Sequence, residues 1–193
     1  MSGLRSSGNK RFFSFVPCGD ANLEHFILNP QVRMELPDVI TRQVSMIFQS
    51  MFGVSVEKAD RSQTSFNDDD LISCVSLSQD QLKILLRFGF PRLLLTPLLQ
   101  KIYGPVIGKH ETTFEDAVCE IANIVCNAVK KHLNENGFSF LMSIPKIEHD
   151  FKTRFEKGSD DHLQLEFILQ KDRFSVDMIT FFKKEVLINE AYS

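Results

Sequence analysis

The sequence predicts an α/β domain of the α+β type, in which two long amphipathic helices cover one face of an antiparallel β-sheet. Several segments alternate apolar and polar residues, the pattern of strands with one buried face. Two longer segments, which begin near Pro37 and Thr113, instead place their apolar residues on one helical face. The chain has 193 residues, of which 43% are hydrophobic, and this is enough to build the full core of one domain.

Composition excludes several classes of protein. With 22 basic and 25 acidic residues and a pI of about 6.0, the chain lacks the overall positive charge of a nucleic-acid-binding protein. No apolar stretch is long enough to span a membrane and no signal peptide is visible, so we expect a cytoplasmic protein. Four cysteines without C-x-x-C spacing predict reduced, buried thiols: Cys18, Cys74, Cys119 and Cys126.

The first half of the chain contains an extension, a helix and a strand. Residues 1–36 are interpreted as a partly disordered N-terminal extension, and residues 37–193 as the domain. The first helix should begin at Pro37, a residue that suits the first helical position, and end at Gly53. Its apolar face consists of Val39, Ile40, Val44, Ile47 and Met51. VSVEKA then predicts a strand, and DRSQTSFNDDD a polar loop.

Two strands and a short helix follow. LISCVSLS and QLKILLRF alternate with period two and are separated by Gln79 and Asp80. PRLLLTPLLQKIYG predicts a short helix that Pro97 interrupts.

The clearest helix runs from about Thr113 to Asn136. Thr112 and Glu115 have the spacing of a capping box, and Gly137 is a suitable stop. After it, FSFLMSI, HLQLEFILQ and RFSVDMITF all alternate as strands. A turn at residues 171–173 should join the last two into a hairpin.

A narrow polar stripe runs along this second helix. On a helical wheel the apolar face consists of Phe114, Val118, Ile121, Ala122, Val125 and Val129. The opposite side carries Asp116, Glu120, Asn123, Asn127, Lys130 and Asn134, one turn apart in a row. By itself such a stripe is most often only the solvated face of an amphipathic helix.

The stripe lies in a segment that resembles a known family. The run from Asp116 through Glu120 and Asn123 to Pro145 resembles the signature of the chemotaxis phosphatases CheX, CheC and FliY, and CheX most of all. That signature is Asp or Ser, three residues, Glu, two residues, Asn, and a Pro further on. Here 21 residues separate Asn123 from Pro145, one fewer than in the family, and Asn127 stands where many members have a small residue.

The resemblance, which covers about residues 37–182, implies a phosphatase of a phosphorylated CheY-like response regulator. Glu120 would pair with a lysine of the regulator, and Asn123 would orient the attacking water. Asp116 and Pro145 would support the motif, while Asn127 and Ile124 are candidates for partner contact. It also implies a homodimer, no metal or cofactor in this chain, and Mg²⁺ supplied by the regulator. The alternative is a non-catalytic module that binds a response regulator or a flagellar switch component.

The resemblance further implies an internal repeat, and the first helix carries a trace of it. Asp38, Arg42 and Ser45 have the spacing of the motif, but Arg replaces the Glu and Ser replaces the Asn. We therefore expect two pseudo-symmetric helices, of which the first is catalytically silent. No G-x-S-x-G motif and no phosphate-binding glycine loop offers another mechanism, and we expect His132 to be a packed histidine.

Overall fold

The computed structural model describes residues 30–60, 70–80, 82–104, 111–148 and 161–182. Within these ranges the chain forms three α-helices, one π-helical turn and seven strands. In chain order they are α1 (Pro30–Ile47), the π-helical turn (Phe48–Phe52), β1 (Glu57–Lys58), β2 (Asp70–Gln79), β3 (Leu82–Pro91), α2 (Arg92–Tyr103), α3 (Glu111–Glu135), β4 (Leu141–Met142), β5 (Lys146–Glu148), β6 (Asp161–Leu169) and β7 (Asp172–Phe182).

The strands form one antiparallel sheet, as the alternation predicts. Their order is β1-β6-β7-β3-β2, and both β4 and β5 pair with the outer edge of β2. Two tight hairpins, β2–β3 and β6–β7, are joined at the centre where β3 pairs with β7. Asp80 (φ 47°) and Gln170 (φ 59°) occupy the left-handed region in the two turns, a conformation that tight hairpins require. The second turn thus lies at residues 170–171, just before the predicted 171–173.

The apolar face of the sheet packs against the helices. Alternate β3 residues are fully buried here: Ile84, Leu86, Phe88 and Phe90. Phe174 lies at the centre of an aromatic cluster, because its ring centroid is 4.9 Å from those of both Phe48 and Phe90 and 5.2 Å from that of Phe167. These stacked rings account for part of the chain's high phenylalanine content.

Helix α1 begins earlier than the sequence analysis predicts. It starts at Pro30, so the start predicted at Pro37 is wrong and the boundary between residues 36 and 37 falls inside the helix. Val32 and Leu36 extend the buried face by almost two turns and join the core. Pro37 lies inside α1, where it has no N–H to donate to the preceding turn of the helix. The rest of the proposed extension, residues 1–29, lies outside the described residues.

The end of the first helix and the strand after it also differ in detail. Gly53 ends the helical segment with φ 65°, as predicted, but the last turn is π-helical. The predicted strand VSVEKA shortens to β1, which pairs with β6. Helix α2 continues through Pro97, and the predicted loop falls mostly at residues 61–69, outside the described residues.

The second long helix is confirmed, with two corrections around it. Gly137 follows α3 with φ 92°, but the helix starts at Glu111, so Thr112 lies inside the first turn and is not its cap. The single strand predicted for FSFLMSI is wrong: β4 has two residues, and Ile144 is 81% exposed instead of facing the core. The ladder breaks between β4 and β5 at Pro145, which has no N–H to donate.

Candidate functional site

Helix α3 holds the predicted polar stripe away from the core. It lies across β2 and against α1, and its apolar face is buried at Phe114, Val118, Ile121, Ala122, Val125 and Val129. Asp116, Glu120 and Asn127 are exposed on the other side, and Asn123 and Ile124 are half-buried. At about 1.5 Å of rise per residue, Glu120 and Asn123 are about 4.5 Å apart along the helix axis. One incoming surface could therefore reach both side chains.

Two of the three amides of the stripe are joined by hydrogen bonds. The Asn127 Nδ2 donates to the backbone carbonyl of Asn123 at 2.9 Å and also lies 3.2 Å from its Oδ1. Glu120 and Asp116, by contrast, form no ion pair or hydrogen bond with any described residue. The site thus presents a constrained amide beside a carboxylate that is available to a cation from outside.

A sheet contact fixes the helix at the level of Glu120. The Ser73 hydroxyl of β2 donates to the Sγ of Cys119 at 3.6 Å. Burial raises the pKa of the Cys119 thiol, the hydrogen bond with Ser73 partly opposes this, and the nearby carboxylates of Asp116 and Glu115 raise the pKa further. Because nucleophilic cysteines need a lowered pKa, Cys119 is a packing residue beside the site and not its nucleophile.

Side-chain caps guide the chain from α3 to the sheet edge. The Asn134 Oδ1 accepts a hydrogen bond from the Phe140 N–H at 3.0 Å, and the Asn136 Nδ2 donates to the carbonyl of His132 at 2.9 Å. These bonds turn the chain toward β2. Asn134, at the end of the stripe, therefore has a structural role.

Pro145 lies on this edge and not on the stripe. Just before it, Ser143 exchanges two 2.9 Å hydrogen bonds with Ser76 of β2. Pro145 is half-buried, while Leu141 and Ile144 are 75% and 81% exposed. The structure thus brings Glu120, Asn123 and Asn127 together on successive turns and places Pro145 on a separate, partly apolar edge.

The corresponding positions on α1 also face outward. Asp38 and Arg42 are exposed and Ser45 is half-buried, whereas Ile40, Val44 and Ile47 are buried. The two helices contact each other, and the His132 Nε2 lies 3.3 Å from a Glu35 carboxylate oxygen between them. His132, 19% exposed at its side chain, is mostly buried between the helices, as expected.

A buried charge cluster on the opposite sheet face was missed by the sequence analysis. Arg87 lies between two carboxylates, 3.9 Å from Asp177 and 4.0 Å from Glu148, and His162 is 3.6 Å from Asp177. Burial raises the pKa of Asp177 even though His162 and Arg87 oppose that shift. The only sequence signal was the polar half of the strand alternation, which normally marks a solvated face.

Cys74, Cys119 and Cys126 are free thiols. Cys126 is buried as predicted, but the prediction of burial is wrong for Cys74 and Cys119, which are half-buried. Cys18 lies outside the described residues. Burial raises the pKa of Cys74, whose thiol donates to Glu148 Oε2 at 2.9 Å. None of the helices in the described ranges has the length and hydropathy of a membrane-spanning segment. In the same part of the chain, no group of three His, Cys, Asp or Glu residues could hold a metal ion.

Comparison with known proteins gives a match at the level of the fold. No protein-family model matches the sequence, and no curated protein matches it significantly. Among solved structures, chemotaxis protein CheX from Vibrio vulnificus matches with a TM-score of 0.62 and 18% identity, over 76% of this chain and 96% of that chain. CheX in the CheX–CheY–BeF3–Mg²⁺ complex from Borrelia burgdorferi matches with a TM-score of 0.57 and 15% identity, over 75% and 96%.

A second kind of protein has a similar fold. The FliM middle domain from H. pylori matches with a TM-score of 0.55 and 14% identity, over 77% of this chain and 89% of that chain. The chain therefore has the fold of CheX-like chemotaxis proteins, as the sequence analysis expected.

Proposed function

We propose that this chain is a CheX-like member of the CheC, CheX and FliY family and hydrolyses the aspartyl phosphate of a CheY-type response regulator. One observation carries the proposal: Glu120 and Asn123 lie one turn apart on the outward face of α3, in a chain with the CheX fold. A CheX protein of that fold has been solved with CheY, BeF3 and Mg²⁺. The fold and the two side chains thus point to the same kind of partner.

The reaction needs little from the protein besides a positioned water. An aspartyl phosphate is an acyl phosphate: water oxygen bonds to phosphorus, the bond from phosphorus to the aspartyl oxygen breaks, and the products are phosphate and an aspartate carboxylate. Holding the water in line can lower the barrier by several kcal/mol. Asn123 suits this role because a neutral amide accepts a hydrogen bond from the water without adding negative charge beside the phosphoryl oxygens.

Glu120 would act by docking. Its carboxylate is exposed and forms no hydrogen bond or ion pair with a described residue, so it is available to a lysine at the active site of the regulator. Such a charged pair, desolvated at an interface, contributes both orientation and specificity. In this proposal the Mg²⁺ belongs to the regulator, the protein is cytoplasmic, and it is a homodimer joined through sheet edges.

A non-catalytic binding module is the second candidate. Leu141 and Ile144 expose apolar surface at the β4–β5 edge, which suits partner binding without chemistry. The FliM middle domain has the same architecture. In that case the chain would bind a regulator or switch component and leave its phosphorylation unchanged.

Decay of a phosphorylated CheY-type regulator distinguishes the two candidates. We expect the wild-type protein to accelerate the decay and Asn123→Ala to abolish the acceleration while still binding the regulator. The variant should fold, because Asn123 is half-buried and its side chain bonds only to Asn127 among the described residues. Lys131→Ala, 76% exposed on the same helix, is the matched control and should retain full activity. An unchanged decay rate with wild-type protein would reject the phosphatase.

A further inference from the structure

The Asn127 side chain is directed at Asn123 and at nothing else in the described part of the chain. Its Nδ2 lies 2.9 Å from the Asn123 backbone oxygen and 3.2 Å from the Asn123 Oδ1. Both acceptors belong to the residue that the proposed mechanism assigns to the water. This arrangement was not visible in the sequence, where Asn127 was a candidate for partner contact.

The contact with the backbone carbonyl identifies the nitrogen and the oxygen of each side-chain amide. A backbone carbonyl only accepts hydrogen bonds, so the Asn127 atom beside it must be the NH2 group. An NH2 group only donates, so the Asn123 atom beside it must be the oxygen. The two contacts thus fix the orientation of both side chains, and the Asn123 NH2 group is turned away from Asn127.

We propose that Asn127 is a positioning residue, which holds the Asn123 amide with its oxygen toward the C-terminal end of the helix. The proposal rests on the phosphatase function proposed above. An oxygen of this kind accepts two hydrogen bonds. Asn127 takes one, and the second remains for a hydrogen of the attacking water.

Without Asn127, the Asn123 amide could rotate and present its NH2 group where its oxygen is needed. Terminal amide torsions have broad, roughly two-fold preferences, so the side chain alone does not select one end. An NH2 group at this position only donates hydrogen bonds, so it could not accept one from the attacking water. The predicted cost is therefore a slower chemical step and not weaker docking.

The test separates the rate at saturation from affinity. Decay of the phosphorylated regulator is followed at saturating protein, and affinity is measured on regulator bound to BeF3 and Mg²⁺. We expect Asn127→Ala to lower the saturated rate about three- to tenfold, the effect of one neutral hydrogen bond, with unchanged affinity. In an Asn123→Ala background, Asn127→Ala should have no further effect.

Asn127→Asp tests the same hydrogen bond with a side chain of unchanged size. An ionised carboxylate of the same shape has no proton to donate and repels the Asn123 oxygen, so the saturated rate should fall at least as far as in Asn127→Ala. Asn134→Asp is the control: it adds the same charge to the stripe about 10 Å along the helix and keeps the acceptor for Phe140. It should retain the wild-type rate.

Two results would overturn the positioning role of Asn127, and a third would remove the function on which it rests. A wild-type rate at saturation in Asn127→Ala or Asn127→Asp overturns the inference, and so does a loss confined to affinity, which would make Asn127 a docking contact. Should the alanine variant not fold, the aspartate variant, which is the same size, decides alone. If the wild-type protein does not accelerate decay at all, the phosphatase function fails first and the positioning role with it.

Discussion

Charge reversal at Glu120 tests the docking role with little disturbance of the fold. Glu120 is exposed and forms no hydrogen bond or ion pair with a described residue, so its replacement removes no such bond within the described part of the chain. Alanine and lysine are both good helix formers. The free energy of unfolding of Glu120→Ala and Glu120→Lys should therefore stay within about 0.5 kcal/mol of wild type.

The expected effect on binding follows from the type of contact. A hydrogen bond to a charged group is worth about 1.5–3 kcal/mol, so Glu120→Ala should weaken affinity for the regulator about 10- to 150-fold. Glu120→Lys should weaken it further, because two ammonium groups would then face each other. The wild-type affinity should also fall with salt, since added ions screen the attraction.

The assay is a titration of the BeF3-bound regulator at low and at high salt. Glu135→Lys is the control, because it reverses an exposed charge on the same helix, about 22 Å away and beyond the screening length at about 0.1 M salt. We expect this control to bind like wild type. Wild-type affinity for Glu120→Lys at low salt would refute the docking role of this carboxylate.

Three further predictions concern the rest of the fold. Replacing Arg42 and Ser45 together by alanine should leave regulator dephosphorylation near the wild-type rate, because α1 lacks the Glu and Asn of the motif. A large loss with retained folding would mean that the first helix contributes to the site. Phe48→Ala should lower the free energy of unfolding by about 3–5 kcal/mol in a denaturant titration, since the ring is fully buried and stacked at 4.9 Å on Phe174; a loss below about 1 kcal/mol would contradict this packing. The raised pKa of Asp177 means that its contribution to stability is present below its ordinary pKa of 3.8 and is lost as pH rises through the folded value. The free energy of unfolding of Asp177→Asn, measured by denaturant titration, should therefore increase relative to that of wild type as pH rises from about 4. A difference between the two free energies that stays constant with pH would refute the raised pKa.

Local sequence patterns predict much of this fold. Helix α3 could be predicted with its stop at Gly137, because its apolar residues recur at helical spacing and a glycine follows. The alternation of the long strands predicted one antiparallel sheet for the same reason. The exposure of Glu120 followed from the periodicity that buried Ile121. Each of these features depends on residues that are close in sequence.

Other features were misjudged where a local signal was ambiguous. Pro30 and Pro37 both suit a first helical position, and only the burial of Val32 and Leu36 against the core shows that α1 begins at the earlier one. The alternation of FSFLMSI likewise predicted one strand, whereas pairing with β2 breaks at Pro145.

The sequence by itself determined the long helices, the long strands and the polar stripe, because periodicity acts within one helix or strand. The resemblance to CheX came from the residues of the motif between Asp116 and Pro145. Only the tertiary structure decided where those elements begin and which side chains meet. Arg87, Asp177 and Glu148 lie far apart in the chain and are neighbours only through strand register. The Asn127–Asn123 bond is local in sequence, but its existence depends on side-chain torsions that no residue pattern specifies.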